Sequence, residues 1–389
     1  MTAATAGGGQ PNGGLSDLVS SRSVVVCCGP GGVGKTTVAG VLALEASRRG
    51  RRAVVMTVDP AKRLADALGL QNLPNWPHRV DGPWPGELWA LMLDTKATFD
   101  SLVTKYSRRQ TQAQAILANR FYKNMAEGLS GIQEYMAIEK LFELNDEKRF
   151  DLIVIDTPPT RNALDFLDAP RRLTGFIDNK FYKFLMAPSR PGLKALNVAT
   201  AAILRGVSKV VGSEVVADAV TFFQAFEGME EGFRDRSHRM RGLLADSGTA
   251  FVLVASPRRD AVREVGFFAD KLRQSGILVK GLVVNRTHPR FGTGLAESDR
   301  ERALTLAGTP LGPLYENLAD FSQMAAAEGS HIDSLVAKVR AQALAKVPEL
   351  STDVHDLDGM SEIARYLFAP DEAAPAPTAT ATSPAATAI

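Results

Sequence analysis

The chain has 389 residues, 45% hydrophobic and 23% charged, with a formal net charge of +2. This length allows a sizeable buried core, and the balanced charge leaves no electrostatic footprint for nucleic acid: Arg48-Arg49, Arg171-Arg172 and Arg258-Arg259 are scattered pairs. The adjacent cysteines Cys27 and Cys28 cannot build a disulfide framework or a CxxC metal site, so no zinc is expected, and no apolar run reaches the ~18 residues of a transmembrane segment.

The opening stretch MTAATAGGGQPNGG lacks the basic and apolar regions of a signal peptide, and a cytoplasmic protein is expected. Residues 1–18 and 371–389 are low in complexity and are expected to be disordered tails. Between them, apolar β-branched runs predict strands at Val24–Cys28, Ala53–Val58, Leu88–Leu93, Asp151–Ile155, Ala250–Ala255 and Leu278–Val284, with TPLGPLY near Leu311 a candidate for one more. Longer helical patterns separate them, which predicts an α/β fold with a mostly parallel sheet flanked by helices. The stretches at about 95–148 and 172–246 are far longer than one crossover helix requires. They read as two insertions that build a helical subdomain on a core spanning 19–345, with a C-terminal extension at 346–370 packed on that core.

Gly29-Pro30-Gly31-Gly32-Val33-Gly34-Lys35-Thr36, followed by Thr37, is a phosphate-binding loop between a predicted strand and a predicted helix. Its glycines let backbone N–H groups converge on phosphate oxygens, and the helix N-terminus adds partial positive charge. Lys35 is placed to reach the terminal phosphates of ATP, and the Thr36 hydroxyl to ligate Mg²⁺. Gly31, Gly32, Val33, Gly34 and Thr37 complete the candidate nucleotide cradle. The fold class is therefore a P-loop NTPase.

Two aspartates end later apolar strands. Asp156, in LIVIDTPPT, has the arrangement of a metal-proximal carboxylate. Asp59, in TVDPAKRLADAL, has two readings that are not exclusive: it orients or deprotonates the attacking water, or it caps the helix that follows Pro60.

GGVGKTT, VDPA, DTPPTRNALDFLDAP and VVNR, in this order across most of residues 23–345, resemble the ArsA family. That family comprises arsenite-pump ATPases and the eukaryotic ATPase that delivers tail-anchored membrane proteins, within the class that includes MinD and ParA. The resemblance implies that Asp59 activates water and that Asp156, Thr157, Pro158, Pro159 and Thr160 form a switch sensing the γ-phosphate. It also implies that Asn285 recognises adenine and that Pro313, with Leu314, lies near the base. It further implies a dimer whose opening and closing gates a helical site for a protein client or a membrane-protein partner. The client-facing helices correspond to the segment from Gly175 to Leu244; mutual packing of their apolar residues is the plainer reading. Glu134 and Glu139 fall on a helix that approaches the dimer face in the family, without an assigned role.

The departures are informative. Family loops commonly begin with a lysine that reaches the partner's nucleotide, and here Pro30 replaces it. A homologous, lysine-bearing subunit is therefore favoured over a symmetric homodimer, the alternative function being a slowly hydrolysing regulatory subunit. Pro257-Arg258 replaces the family's Pro-Glu, adding a positive charge near the site or a plain surface arginine. The cysteines that bind arsenite in the pump ATPases are absent here, and thiolates are what a soft metalloid needs, so arsenite transport is disfavoured.

Overall fold

The computed structural model describes residues 14–59, 61–128, 132–158, 163–178, 212–289, 291 and 296–368. A short helix α1 (Leu15–Ser21) precedes β1 (Val24–Cys28), then come α2 (Lys35–Arg48), β2 (Arg52–Thr57), α3 (Arg63–Ala67), β3 (His78–Val80) and β4 (Glu87–Met92). The first insertion consists of α4 (Thr95–Tyr106), α5 (Gln110–Ala118), α6 (Arg120–Gly128) and α7 (Ile132–Asp146). After β5 (Leu152–Asp156), the second contributes α8 (Ala163–Asp178), α9 (Ser213–Ala225) and α10 (Glu230–Ala245). The chain closes with β6 (Thr249–Ala255), α11 (Arg259–Gln274), β7 (Val279–Thr287), α12 (Ala296–Thr305), α13 (Leu311–Val339), β8 (Ala343–Pro348) and α14 (Leu357–Phe368).

Among the described residues one eight-stranded sheet has the order β3-β4-β2-β5-β1-β6-β7-β8. Every pairing is parallel except the edge pair β3–β4. The inner strands are buried along their whole length because helices cover both faces, which is why they read as unbroken apolar runs. The period of two divides β1 between two cores: Val24, Val26 and Cys28 face one, and Val25 and Cys27 the other, where α2 and α14 pack. Nearest neighbours of β1 are β5 and β6, so the chain reverses direction across the sheet there and opens a crevice at the strands' C-terminal ends.

The insertions pack on each other through aromatic side chains. Phe121 and Tyr122 meet Phe222 of α9 at ring-centroid separations of 5.5 and 6.0 Å, and Met229 and Met240 are buried. Phe222, Phe223, Phe233, Met240 and Leu244 of α9 and α10 thus join the core on one face of the sheet, while Val215 is exposed; residues 179–211, the centre of the expected client site, lie outside the described residues. A buried ion pair joins the insertions: Arg236 Nε lies 2.8 and 3.0 Å from the Glu139 carboxylate oxygens, and the guanidinium sits over Phe142.

The structure corrects the sequence reading in several places. TPLGPLY is not a strand: Leu311–Tyr315 opens the 29-residue helix α13, and Pro313 falls in its first turn, where a missing N–H is tolerated. The strand beyond β7 is instead ALAKVP, which escapes a search for apolar runs because only alternate residues are buried at the sheet edge. It also crosses the core boundary expected at residue 345. The three-residue β3 was not predicted either. Leu15 and Leu18, expected in a disordered tail, are buried in α1. Among the described residues no helix is long and apolar enough to cross a membrane.

Candidate functional site

A cleft of about 650 Å³ opens at the C-terminal ends of β1, β2, β5 and β7. Its floor is the loop from β1 to α2. Gly29 passes so close to β6 that a Cβ would lie 2.1 Å from the Val254 carbonyl oxygen. Gly34 has φ +90° and would place a Cβ 2.3 Å from Asn285 Nδ2, so both the backbone conformation and the space demand glycine. α2 starts at Lys35 and directs its N-terminus at the cleft.

Lys35 is buried, and its Nζ donates to the Pro30 carbonyl at 2.8 Å; burial lowers its pKa, against the pull of Asp156. Thr36 and Thr57 donate their hydroxyls to Asp156 Oδ2 at 2.6 and 2.9 Å. Asp156 is 1% exposed, and burial raises its pKa despite these two donors. Its Oδ1 has no hydrogen-bond partner among the described residues. A buried carboxylate oxygen without a donor is costly, and its neighbour is a threonine hydroxyl at the mouth of a phosphate cradle. This donor set fits Mg²⁺, which prefers hard oxygen ligands and keeps several waters.

Asp59 follows β2, and its side chain lines the cleft. Oδ1 accepts the Ala61 N–H at 2.9 Å, while α3 begins only at Arg63 behind Lys62, so the carboxylate stabilises the local turn without capping that helix. The Val58 carbonyl accepts Gln133 Nε2 at 3.1 Å, which ties the Asp59 loop to the start of α7. Thr157 is buried, with its N–H and hydroxyl both directed to the Cys27 carbonyl; Pro158 is buried, and Pro159 and Thr160 lie outside the described residues.

Asn285 ends the buried part of β7. Nδ2 donates to the Val33 carbonyl at 2.9 Å, and Oδ1 accepts the Arg286 N–H at 3.0 Å. Its amide braces the P-loop as well as lining the cleft. Pro313 is not brought there: it is exposed on α13, and the cleft is lined instead by Pro348 at the end of β8 and by Glu349, Leu350 and His355 in the segment that follows. Arg258 also stays away from the cleft, where it pairs with Asp260.

Residues 22–293 match the family described as Anion-transporting ATPase. The chain belongs to that family. An uncharacterised protein of Streptomyces coelicolor is similar to it, 30% identical over 265 residues that cover 67% of this chain and 61% of that protein. The ATPase asna-1 of Caenorhabditis elegans is 26% identical over 267 residues, 66% of this chain and 72% of its own. A putative arsenical pump-driving ATPase of Prosthecochloris vibrioformis is 25% identical over 268 residues, 68% and 60% of the two chains. The matched region therefore spans less than two thirds of the Streptomyces and Prosthecochloris proteins. As a member of the anion-transporting ATPase family, the chain has a nucleotide-binding ATPase fold.

Three contributions to the site were not legible in the sequence, two from single residues and one from a segment. Gln133 lies on a helix far from the motifs in sequence, and the segment after β8 carries no phosphate-binding signal. Arg286 is the third: it was visible in VVNR, but its direction depends on a backbone conformation that pattern cannot report.

Proposed function

We propose that this chain binds ATP with Mg²⁺ in the cleft and hydrolyses it, and that the nucleotide state sets the opening of a dimer whose helical subdomain holds a protein client or partner. The observation that carries this reading is the buried, donorless Oδ1 of Asp156 beside Thr36 at the base of the P-loop. The Gly31–Gly34 backbone and Lys35 receive the phosphates, with Thr37 behind them. Thr36 and Asp156 would hold the metal, which when bound offsets the charge that develops on the transferring phosphoryl group. Asp59 lies in the same cleft and is assigned to orient water and accept its proton. Thr157 to Thr160 and the Gln133–Val58 hydrogen bond are the route by which phosphate loss would be felt in the insertions.

A second reading has its own observation. Pro30 is buried within its own chain and lacks both a charge and an N–H, so this subunit offers no lysine to a partner's nucleotide. A pseudo-symmetric heterodimer with a lysine-bearing homologue follows, in which this chain's site is the better completed. Arsenite handling is not favoured: Cys27 and Cys28 are buried, and burial pushes the Cys28 thiol up to about 12, so neither offers a thiolate.

Phosphate release from Mg-ATP, measured for the chain alone and mixed with a lysine-bearing homologue, tests both readings. Turnover lost in Lys35→Ala and raised by the homologue is the expected result. Equal rates with and without the homologue would discard the heterodimer, and no nucleotide binding under any condition would discard the ATPase reading.

A further inference from the structure

Three non-glycine residues have positive φ among the described residues: Lys148, Arg286 and Arg340. Lys148 follows the end of α7, and Arg340 is the C-terminal cap of α13, where left-handed backbone commonly ends a helix. Arg286 has no such explanation. It sits inside β7 with φ +60°, and the pairing of β7 with β8 slips there, from Asn285↔Val347 to Thr287↔Pro348. Arg286 is thus the extra residue of a β-bulge, a device that re-aims a side chain and is frequent beside functional sites.

The re-aimed side chain reaches the phosphate-binding loop. Arg286 NH1 lies 3.2 Å from the Gly32 carbonyl oxygen, and the residue lines the cleft while remaining exposed. The bulge is anchored to the same loop, because Asn285 accepts the Arg286 N–H and donates to Val33. Among the described residues no carboxylate pairs with the guanidinium, and the hydrogen bond to the Gly32 carbonyl uses one of its five N–H donors, leaving the others open to a ligand. The cleft needs that charge: Asp59, Asp66, Asp156, Glu349 and Asp353 line it, against Lys35, Arg63 and Arg286.

We propose that Arg286 is a nucleotide-positioning residue that places a second positive charge, beside that of Lys35, at the phosphate chain from within this subunit. The strained backbone is kept because it turns the guanidinium back over Gly32 instead of along the sheet edge. This inference rests on the ATP reading above and adds the residue that discriminates by phosphate charge.

The test compares binding of Mg-ATP, Mg-ADP and adenosine by calorimetry to the full chain and to Arg286→Gly, Arg286→Gln and Arg286→Lys. Arg286→Gly relieves the backbone, so its melting temperature equals or exceeds that of the wild type, yet it binds ATP about tenfold more weakly and ADP less so, since the lost contact is charge-assisted. Adenosine binding is unchanged, Arg286→Gln behaves like Gly toward ATP, and Arg286→Lys retains most of the affinity. A wild type that binds ATP together with Arg286→Gly and Arg286→Gln variants that bind it equally well would overturn the inference while leaving the ATP reading intact. Equal losses for ATP, ADP and adenosine would overturn it too, by assigning Arg286 to the base. A wild type that binds no ATP would overturn both.

Discussion

The Gln133 side-chain amide donates to the Val58 carbonyl at 3.1 Å, joining the first helical insertion to the residue that precedes Asp59. A neutral hydrogen bond of this kind contributes about 1 kcal/mol. Gln133→Ala should therefore leave Mg-ATP affinity nearly unchanged and slow turnover roughly fivefold, as the Asp59 loop loses its brace. Steady-state phosphate release read beside equilibrium binding checks this; a loss confined to affinity would assign Gln133 to the ligand itself.

Asp156 costs the apoprotein stability. Burial raises its folded-state pKa above the ordinary carboxylate value of 3.8, so the folded state favours the protonated form. The sign follows: apoprotein stability is highest below the unfolded pKa and falls as pH rises through the folded one, leaving the full cost in place at neutral pH. Asp156→Asn should raise the apoprotein's stability by about 1–2 kcal/mol at neutral pH and abolish the dependence of ATP binding on Mg²⁺. Thermal melts with and without Mg-ATP read both effects, and a destabilised variant would contradict the cost assigned to this carboxylate.

Gly34 and Asn285 are in mutual van der Waals limit. A methyl group at Gly34 meets both a left-handed backbone at φ +90° and the Asn285 amide, so Gly34→Ala should destabilise by about 2–3 kcal/mol and abolish nucleotide binding. Adding Asn285→Ala removes the collision without correcting the backbone. The double variant should recover part of the stability and none of the binding, which a double-mutant cycle by chemical denaturation would show.

The Glu139–Arg236 pair buries two charges in the helical subdomain. Arg236→Ala strands the carboxylate and should cost about 3–5 kcal/mol, whereas Glu139→Leu with Arg236→Met should restore most of it. Urea denaturation of the single and double variants measures the difference. If the restored double variant also hydrolyses ATP normally, the pair is structural; if it folds well but turns over slowly, the pair participates in transmitting the nucleotide state.

The P-loop and the strand-ending aspartates were legible in sequence because each combines an apolar strand with a residue type that has few structural uses there. Asp156 was found on its strand ending, and the structure adds the donorless Oδ1 that makes it fit a metal. Pro313 was misplaced because a proline-leucine pair at a helix start and one at a strand end look alike locally. Only the sheet shows that Pro348, not Pro313, ends the strand beside β7.

Alternation of apolar strands with helical patterns and the Gly31–Thr37 loop by themselves determined the fold class and marked out the candidate nucleotide cradle, since both follow from local backbone geometry and side-chain period. Tertiary structure alone decided what stands around that cradle. Gln133, Arg286 and the segment after β8 are brought to it from separate parts of the chain, by a helix packed beside Asp59, a bulge in β7 and an edge strand. Their directions depend on register and on one left-handed residue, and neither is encoded in residue type at a single position.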